Sequence, residues 1–140
     1  MNDKYLLDST LLPSGFRYPA SFVAIANEER VKLEPWWLLS IRKESTLFWL
    51  NTLRAQYPER SLIPFAKMED SDDLACFDGL DTNGDPKVFY VHAYTTPGWE
   101  QRGEARGFDQ WLAEASEQAR RYAAEQESGR RSGDVEGGYS

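Results

Sequence analysis

The chain has 140 residues, a formal net charge of −7, one cysteine and one histidine. A chain of this length forms one domain that hides roughly two-thirds of its unfolded surface, so it can bury a core. The single Cys76 excludes an internal disulfide bond and a zinc site built from thiolates.

The first half of the chain predicts two helices and a strand. Residues 18–27 begin a short helix at Pro19, because proline is favoured at the first helical position. Residues 31–41 contain a run of aromatic and branched side chains, which predicts a strand in the middle of a sheet. Residues 44–57 place apolar side chains at helical spacing until Pro58, where a helix has to stop.

Three further strands are predicted over residues 62–66, 74–77 and 87–94. They are short apolar runs separated by polar loops that are rich in turn-forming residues. In the third run apolar and polar side chains alternate, which is typical of a strand with one face towards the core. The set expected to face the core is Phe89, Val91 and Ala93.

The last part of the chain predicts a loop, a long helix and a tail. Gly98 and Gly103 mark the loop, and apolar side chains at helical spacing from Phe108 to Tyr122 predict the helix. Residues 128–140 show no periodicity and are rich in Gly, Ser and charge. We therefore expect a single domain over residues 1–127 and a flexible tail over residues 128–140.

The acidic imbalance lies in one segment. Between Glu69 and Asp85 there are seven acidic residues and no Lys or Arg, whereas the rest of the chain has equal numbers of acids and bases. Nucleic acid is an unsuitable ligand, because phosphate binding needs a basic surface. A basic protein partner fits better, although a solvated loop would have the same composition. The candidate partner-binding carboxylates are Glu69, Asp70, Asp72, Asp73, Asp78, Asp81 and Asp85.

Trp36 and Trp37 are adjacent in a predicted strand, so their side chains must point to opposite faces of the sheet. If helices cover both faces, both rings are buried. If one face is open, one ring can act as an aromatic anchor for a partner. Both are therefore candidate partner-binding residues.

Oxygen-bearing side chains alternate over residues 81–85, which is a pattern that calcium-binding loops share. An EF-hand loop has Gly at its sixth position and Glu at its twelfth, whereas here Gly84 is fourth and His92 is twelfth. A hairpin turn at Asn83 explains the pattern better.

A nucleophilic pair of Cys76 and His92 would require neighbouring strands. Cys76 lies inside an apolar run and is expected to be a core residue. The sequence also lacks a phosphate-binding glycine loop, a dinucleotide fingerprint and a zinc-binding helix motif. We therefore predict no catalytic centre, no metal site and no cofactor.

The longest unbroken apolar run, residues 22–26, is too short to cross a bilayer, and residues 1–4 lack the start of a secretory signal. We expect a cytoplasmic protein with no membrane partner.

Five stretches follow one another in a familiar order and spacing. They are Tyr18-Pro19 with Phe22, Trp37-Leu38-Leu39, Leu62-Ile63-Pro64-Phe65-Ala66, Asp72-Asp73-Leu74-Ala75-Cys76-Phe77-Asp78, and Phe108-Asp109-Gln110-Trp111-Leu112. In these stretches, which extend over about residues 11–115, the chain resembles the SMI1/KNR4 (SUKH) superfamily. It departs from that family at residues 68–71, where members often have a glycine-containing loop.

The resemblance implies an α+β fold with a central, mostly antiparallel sheet, helices packed around it and a long C-terminal helix. It also implies no established catalytic centre. Bacterial members act as immunity proteins against toxins, nucleases among them, and other members are regulatory scaffolds. We therefore expect a non-catalytic immunity protein that neutralises a basic toxin domain by direct binding. The alternative is a regulatory scaffold domain that binds a housekeeping protein.

Overall fold

The computed structural model describes residues 6–7, 10–28, 32–69 and 71–136, with side chains described as far as residue 127. Within these residues the chain forms an α+β fold with a five-stranded antiparallel sheet and three α-helices. The elements are α1 (Ala20–Ala26), β1 (Trp36–Leu38), a 3₁₀ turn (Leu39–Ile41), α2 (Lys43–Gln56), β2 (Leu62–Met68), β3 (Asp73–Asp78), β4 (Val88–His92), β5 (Gln101–Ala105) and α3 (Phe108–Glu136).

The strands lie in chain order across the sheet, and each pairs antiparallel with the next. The predicted strand at residues 31–41 is therefore at an edge, and its placement in the middle of the sheet was wrong. The apolar run is divided, because only Trp36–Leu38 pairs with β2, while Leu39–Ile41 turns into α2. β3 occupies the centre.

Helices cover both faces of the sheet, and the inner strands β2, β3 and β4 contribute to both cores, whereas the edge strands β1 and β5 contribute to one. α1 and α3 cover one face, where Phe65 and Phe77 stack with ring centroids 4.2 Å apart against Phe22 and Trp111. α2 covers the other face. Burial on both sides explains why the three inner strands have continuous apolar runs.

The predicted alternation in β4 is confirmed, with a correction. Phe89, Val91 and Ala93 face the core beneath α2, as expected. Tyr90 packs against the opposite core, since α3 also covers that face. Tyr90 alternates with His92 and Tyr94 in the sequence; His92 is bonded to Asp73, and Tyr94, which lies beyond the end of β4, packs against Trp49.

The long C-terminal helix is confirmed, and α3 buries Phe108, Trp111 and Ala115 against the sheet. The predicted tail boundary at Ser128 lies inside α3, whose backbone is helical to Glu136. Residues 137–140 lie outside the described part of the chain. No helix in the described residues is both long and apolar enough to cross a membrane.

Candidate functional site

The acidic segment is divided between the two ends of the sheet. β3 runs through it, so Glu69, Asp72 and Asp73 lie at the β2–β3 turn, while the β3–β4 loop carries Asp78, Asp81 and Asp85. A strand of this length separates the two groups by roughly 17 Å. Asp70 lies outside the described residues. The carboxylates therefore form two groups instead of one surface.

In the β3–β4 loop, the carboxylates support the local backbone. Asp78 accepts a hydrogen bond from the backbone N–H of Leu80 at 3.0 Å. Asp81 accepts one from Asn83 at 3.1 Å and one from Lys87 at 3.2 Å. These bonds are typical of Asp in turns, so this group has a structural role that needs no partner.

The same loop contains residues 81–85, whose sequence pattern is the one that calcium-binding loops share. Gly84 has a φ of +89°, which fits the turn expected at Asn83. Asp85 lies so close to the backbone at Gly107 that a Cβ there would be 2.9 Å from its Oδ1. Among the described residues, no cluster of three or more His, Cys, Asp or Glu side chains is arranged to hold a metal ion.

The β2–β3 turn is folded around the ammonium group of Lys67. Its Nζ donates hydrogen bonds to the carbonyl oxygens of Met68 at 3.0 Å and Ser71 at 2.6 Å. The same Nζ lies 5.6 Å from the ring centroid of Trp49 on α2. The turn is therefore held against α2 by a cation–π contact and two hydrogen bonds.

Asp73 connects this turn to β4. Its Oδ1 lies 2.7 Å from Nδ1 of His92, and its Oδ2 accepts a hydrogen bond from Ser71 Oγ at 2.8 Å. Burial raises the pKa of Asp73, but the hydrogen bonds from His92 and Ser71, with nearby positive charge, outweigh it. The pKa of Asp73 is therefore lower than usual, and the carboxylate is bonded to His92 and Ser71 although the side chain is 42% exposed.

Trp36 and Trp37 point to opposite faces of the sheet, as predicted. Trp36 is only 5% exposed, and its Nε1–H donates to Gln118 on α3 at 3.0 Å. Trp37 is 42% exposed, and its Nε1–H donates to Oε1 of Glu69 at 3.1 Å. Of the two proposed anchors, only Trp37 therefore presents its ring to solvent.

Beside Trp37 the surface forms a groove with a volume of about 370 Å³. Its lining includes Trp37 of β1 and Glu69 of the β2–β3 turn, together with Ile41, Arg42 and Trp49 from the segment that turns into α2 and from α2 itself. The groove thus combines two indole rings with both signs of charge. Its size is at the lower end of the range for ligand pockets and suits protein side chains.

Next to the groove lie aromatic residues that sequence reasoning did not assign to a site. Phe48 and Tyr94 are 55% and 58% exposed, and both pack edge-on against the half-buried Trp49. The centroid distances to Trp49 are 5.0 Å for Phe48 and 6.1 Å for Tyr94. We call Phe48, Trp49 and Tyr94 the aromatic surface. A signal was present in the sequence, because Phe48 is an aromatic residue outside the buried stripe of α2.

Tyr94 has an unusual backbone conformation, with a φ of +63°. Its N–H donates to Oε1 of Gln56 at 2.7 Å. The hydroxyl of Tyr57 donates to the carbonyl of Thr95 at 2.8 Å and accepts from the N–H of Thr95 at 3.1 Å. Residues at the C-terminal end of α2 therefore hold this turn in place.

Cys76 and His92 do lie on neighbouring strands, but they do not come together as a nucleophilic pair. Cys76 is opposite Phe89 and is fully buried, whereas His92 is opposite Asp73 and bonded to it. Burial raises the pKa of the Cys76 thiol far above its usual value. A reactive thiolate is therefore disfavoured in the folded protein.

Comparisons of the chain with protein-family models, with curated proteins and with solved structures found no match.

Proposed function

We propose that this chain is a non-catalytic protein-binding domain, and that it acts in the cytoplasm as an immunity protein against a toxin with a basic surface. The observation that carries the proposal is the exposed ring of Trp37 hydrogen-bonded to the exposed carboxylate of Glu69, with Asp72 nearby on the same turn. An exposed indole beside carboxylates offers contacts that suit Arg and Lys side chains.

A nuclease toxin would present such side chains, because it needs Lys and Arg to bind phosphate. Carboxylates at the β2–β3 turn would accelerate the encounter with that surface and pair with its cations. The immunity protein would then neutralise the toxin by covering the basic surface that the toxin uses for nucleic acid. This mechanism needs no catalytic group in the immunity protein.

The non-catalytic part of the proposal is supported by the two residues that sequence reasoning considered for catalysis. Cys76 is buried in the core, and His92 is bonded to Asp73. The immunity part is supported by the sequence resemblance to the SMI1/KNR4 superfamily.

The test is co-expression of this chain with the product of the neighbouring gene. We expect the two proteins to purify as a stoichiometric complex, and we expect the chain to restore growth to cells that express the toxin. The double variant Trp37→Ala/Glu69→Lys should lose both effects, while Leu80→Ala at the other end of the sheet should keep them. Binding without restored growth would contradict the immunity role, and the absence of a complex would contradict the choice of partner.

A further inference from the structure

We propose that the aromatic surface of Phe48, Trp49 and Tyr94 is the apolar centre of the partner interface. Its occupant would be a partner segment that carries a large apolar side chain next to an Arg or Lys. This inference rests on the proposed function, and it assigns the chemistry that the binding surface recognises.

The first argument is exposure. Phe48 and Tyr94 are each more than half exposed, although they contact Trp49, which is itself packed against the core beneath α2. Ile41 and Trp37, at the adjoining groove, are exposed to a similar degree. Neighbouring apolar side chains left in water mark protein interaction sites, and rigid aromatic residues commonly dominate binding energy there.

The second argument is the conformation of Tyr94. A φ of +63° is costly for a residue with a large side chain, and such conformations concentrate at functional sites. Here the hydrogen bond that the Tyr94 N–H donates to Gln56 and the two bonds between Thr95 and the Tyr57 hydroxyl maintain it. The ring is thus held beside Trp49 before a partner arrives, which reduces the conformational entropy lost on binding.

The third argument is charge, which specifies the residue beside the apolar anchor. Glu69 and Trp49 both line the groove, and the carboxylate of Glu69 retains acceptor capacity after bonding to Trp37. Lys67 also lines the groove, but its Nζ is bonded to two carbonyl oxygens and lies over Trp49, so its charge is stabilised within the protein. Arg42 lines the groove as well, so the partner cation is placed at the β2–β3 turn, where Glu69 and Asp72 supply two carboxylates.

The probes are three short synthetic peptides in the same Gly-Ser background. The first carries Arg beside Phe, the second Glu beside Phe, and the third Arg beside Ser. The indole N–H signals of Trp37 and Trp49 are followed by NMR and assigned with W37F and W49F. The first peptide should shift both signals and bind about tenfold or more tightly than the other two.

The inference is wrong if the second or the third peptide binds as tightly as the first. It is also wrong if the shifts are confined to other tryptophans, or if the first peptide does not bind at about 1 mM.

Two variants test the aromatic surface directly. Phe48→Ser should weaken binding of the first peptide about tenfold, because it removes an exposed contact. Tyr94→Gly should weaken it similarly without lowering the melting temperature, since glycine adopts positive φ without steric cost. Leu80→Ser removes an exposed side chain at the other end of the sheet and should leave binding unchanged. Unchanged binding in Phe48→Ser and Tyr94→Gly would overturn the inference.

The two proposals can fail separately. If the neighbouring gene product does not bind but the first peptide does, the proposed immunity role is contradicted and the proposal for the aromatic surface is supported. If that product binds Phe48→Ser and Tyr94→Gly as tightly as it binds the parent protein, the proposed immunity role is supported and the proposal for the aromatic surface is contradicted.

Discussion

At the scale of single residues, Asp73 differs from its neighbours in the β2–β3 turn because its side chain is bonded to His92 and Ser71. Burial raises the pKa of Asp73, but these bonds have a larger effect in the opposite direction. The net result is a pKa below the usual value. A lowered pKa means that the folded state favours the ionised carboxylate. The resulting stability is present above the pKa of Asp73 in the unfolded chain, and it is lost as the pH falls through the folded-state pKa.

We expect Asp73→Asn to lower the free energy of unfolding by less than about 1 kcal/mol at neutral pH, because the pair is solvent-screened. The difference from the parent should shrink as the pH falls below about 3.9, the ordinary pKa of Asp, and should be lost as the pH falls through the lower folded-state pKa. Urea denaturation of both proteins, from neutral to acidic pH, measures this difference in the free energy of unfolding. Asp72→Asn is the control, since it leaves the bonds of Asp73 intact. A difference that does not change with pH would contradict the role assigned to the ionised carboxylate.

Much of the candidate site could be named from residue types, but its arrangement could not. The carboxylates and the two tryptophans are evident in the sequence. Their division between two ends of the sheet depends on where β3 begins and ends within the acidic segment. Which tryptophan is exposed depends on α3, because Trp36 is covered by the helix that carries Gln118. The aromatic surface joins α2 to the turn after β4, and no local pattern predicts a contact over that sequence distance.

At the scale of elements, β5 was predicted as a loop, and the structure corrects this. Gln101–Ala105 is mostly polar and contains Gly103, so it lacks the alternation that identifies a strand with one buried face. It is an edge strand paired with β4, and its start is fixed by tertiary contacts. Glu100 is only 6% exposed, and it forms an ion pair with Arg60 at 2.7 Å. The helices and the apolar strands were predicted well because their periodicity is local.

Arg60→Met should destabilise the protein by about 3 kcal/mol at neutral pH, because it leaves the buried carboxylate of Glu100 without its partner. Burial raises the pKa of Glu100, while bonds from Arg60 and the backbone bring it below its usual value. Without Arg60, the cost of the buried charge should fall as acid protonates Glu100. Denaturant unfolding at neutral and acidic pH measures both effects.

Lys87→Met is the matched control. It breaks the exposed pair with Glu104, which also links the β4 and β5 segments. This substitution should lower the free energy of unfolding by about 0.5 kcal/mol or less. If Arg60→Met and Lys87→Met lower the free energy of unfolding equally, the Arg60–Glu100 pair does not anchor β5.

At the scale of the whole molecule, the acidic segment produces two centres of negative charge. They lie farther apart than the Debye length, which is about 8 Å at physiological ionic strength. A partner that docks at the β2–β3 turn therefore responds mainly to the charges of that turn. The carboxylates of the β3–β4 loop add to the net charge of the chain. They have little effect on the rate at which a partner associates with the β2–β3 turn.

Asp72→Lys and Asp85→Lys change the net charge equally at the two ends. We expect Asp72→Lys to slow association with the proposed basic partner by about tenfold at low salt and to weaken the salt dependence of the rate. Asp85→Lys should have a much smaller effect. Stopped-flow association at several ionic strengths measures both rates. If Asp85→Lys has the larger effect, the docking surface is at the other end of the sheet.

The burial of Cys76 makes the opening of the sheet chemically measurable. Its thiol lies at the middle of the central strand, paired across to Pro64 and Phe89, and is fully buried. A thiol reagent should reach it only in molecules that have unfolded, so the labelling rate in native buffer should give the same free energy of unfolding as urea denaturation. Leu80→Cys adds an exposed thiol that should react at once. Faster labelling of Cys76 than global unfolding allows would show that the sheet opens locally around β3.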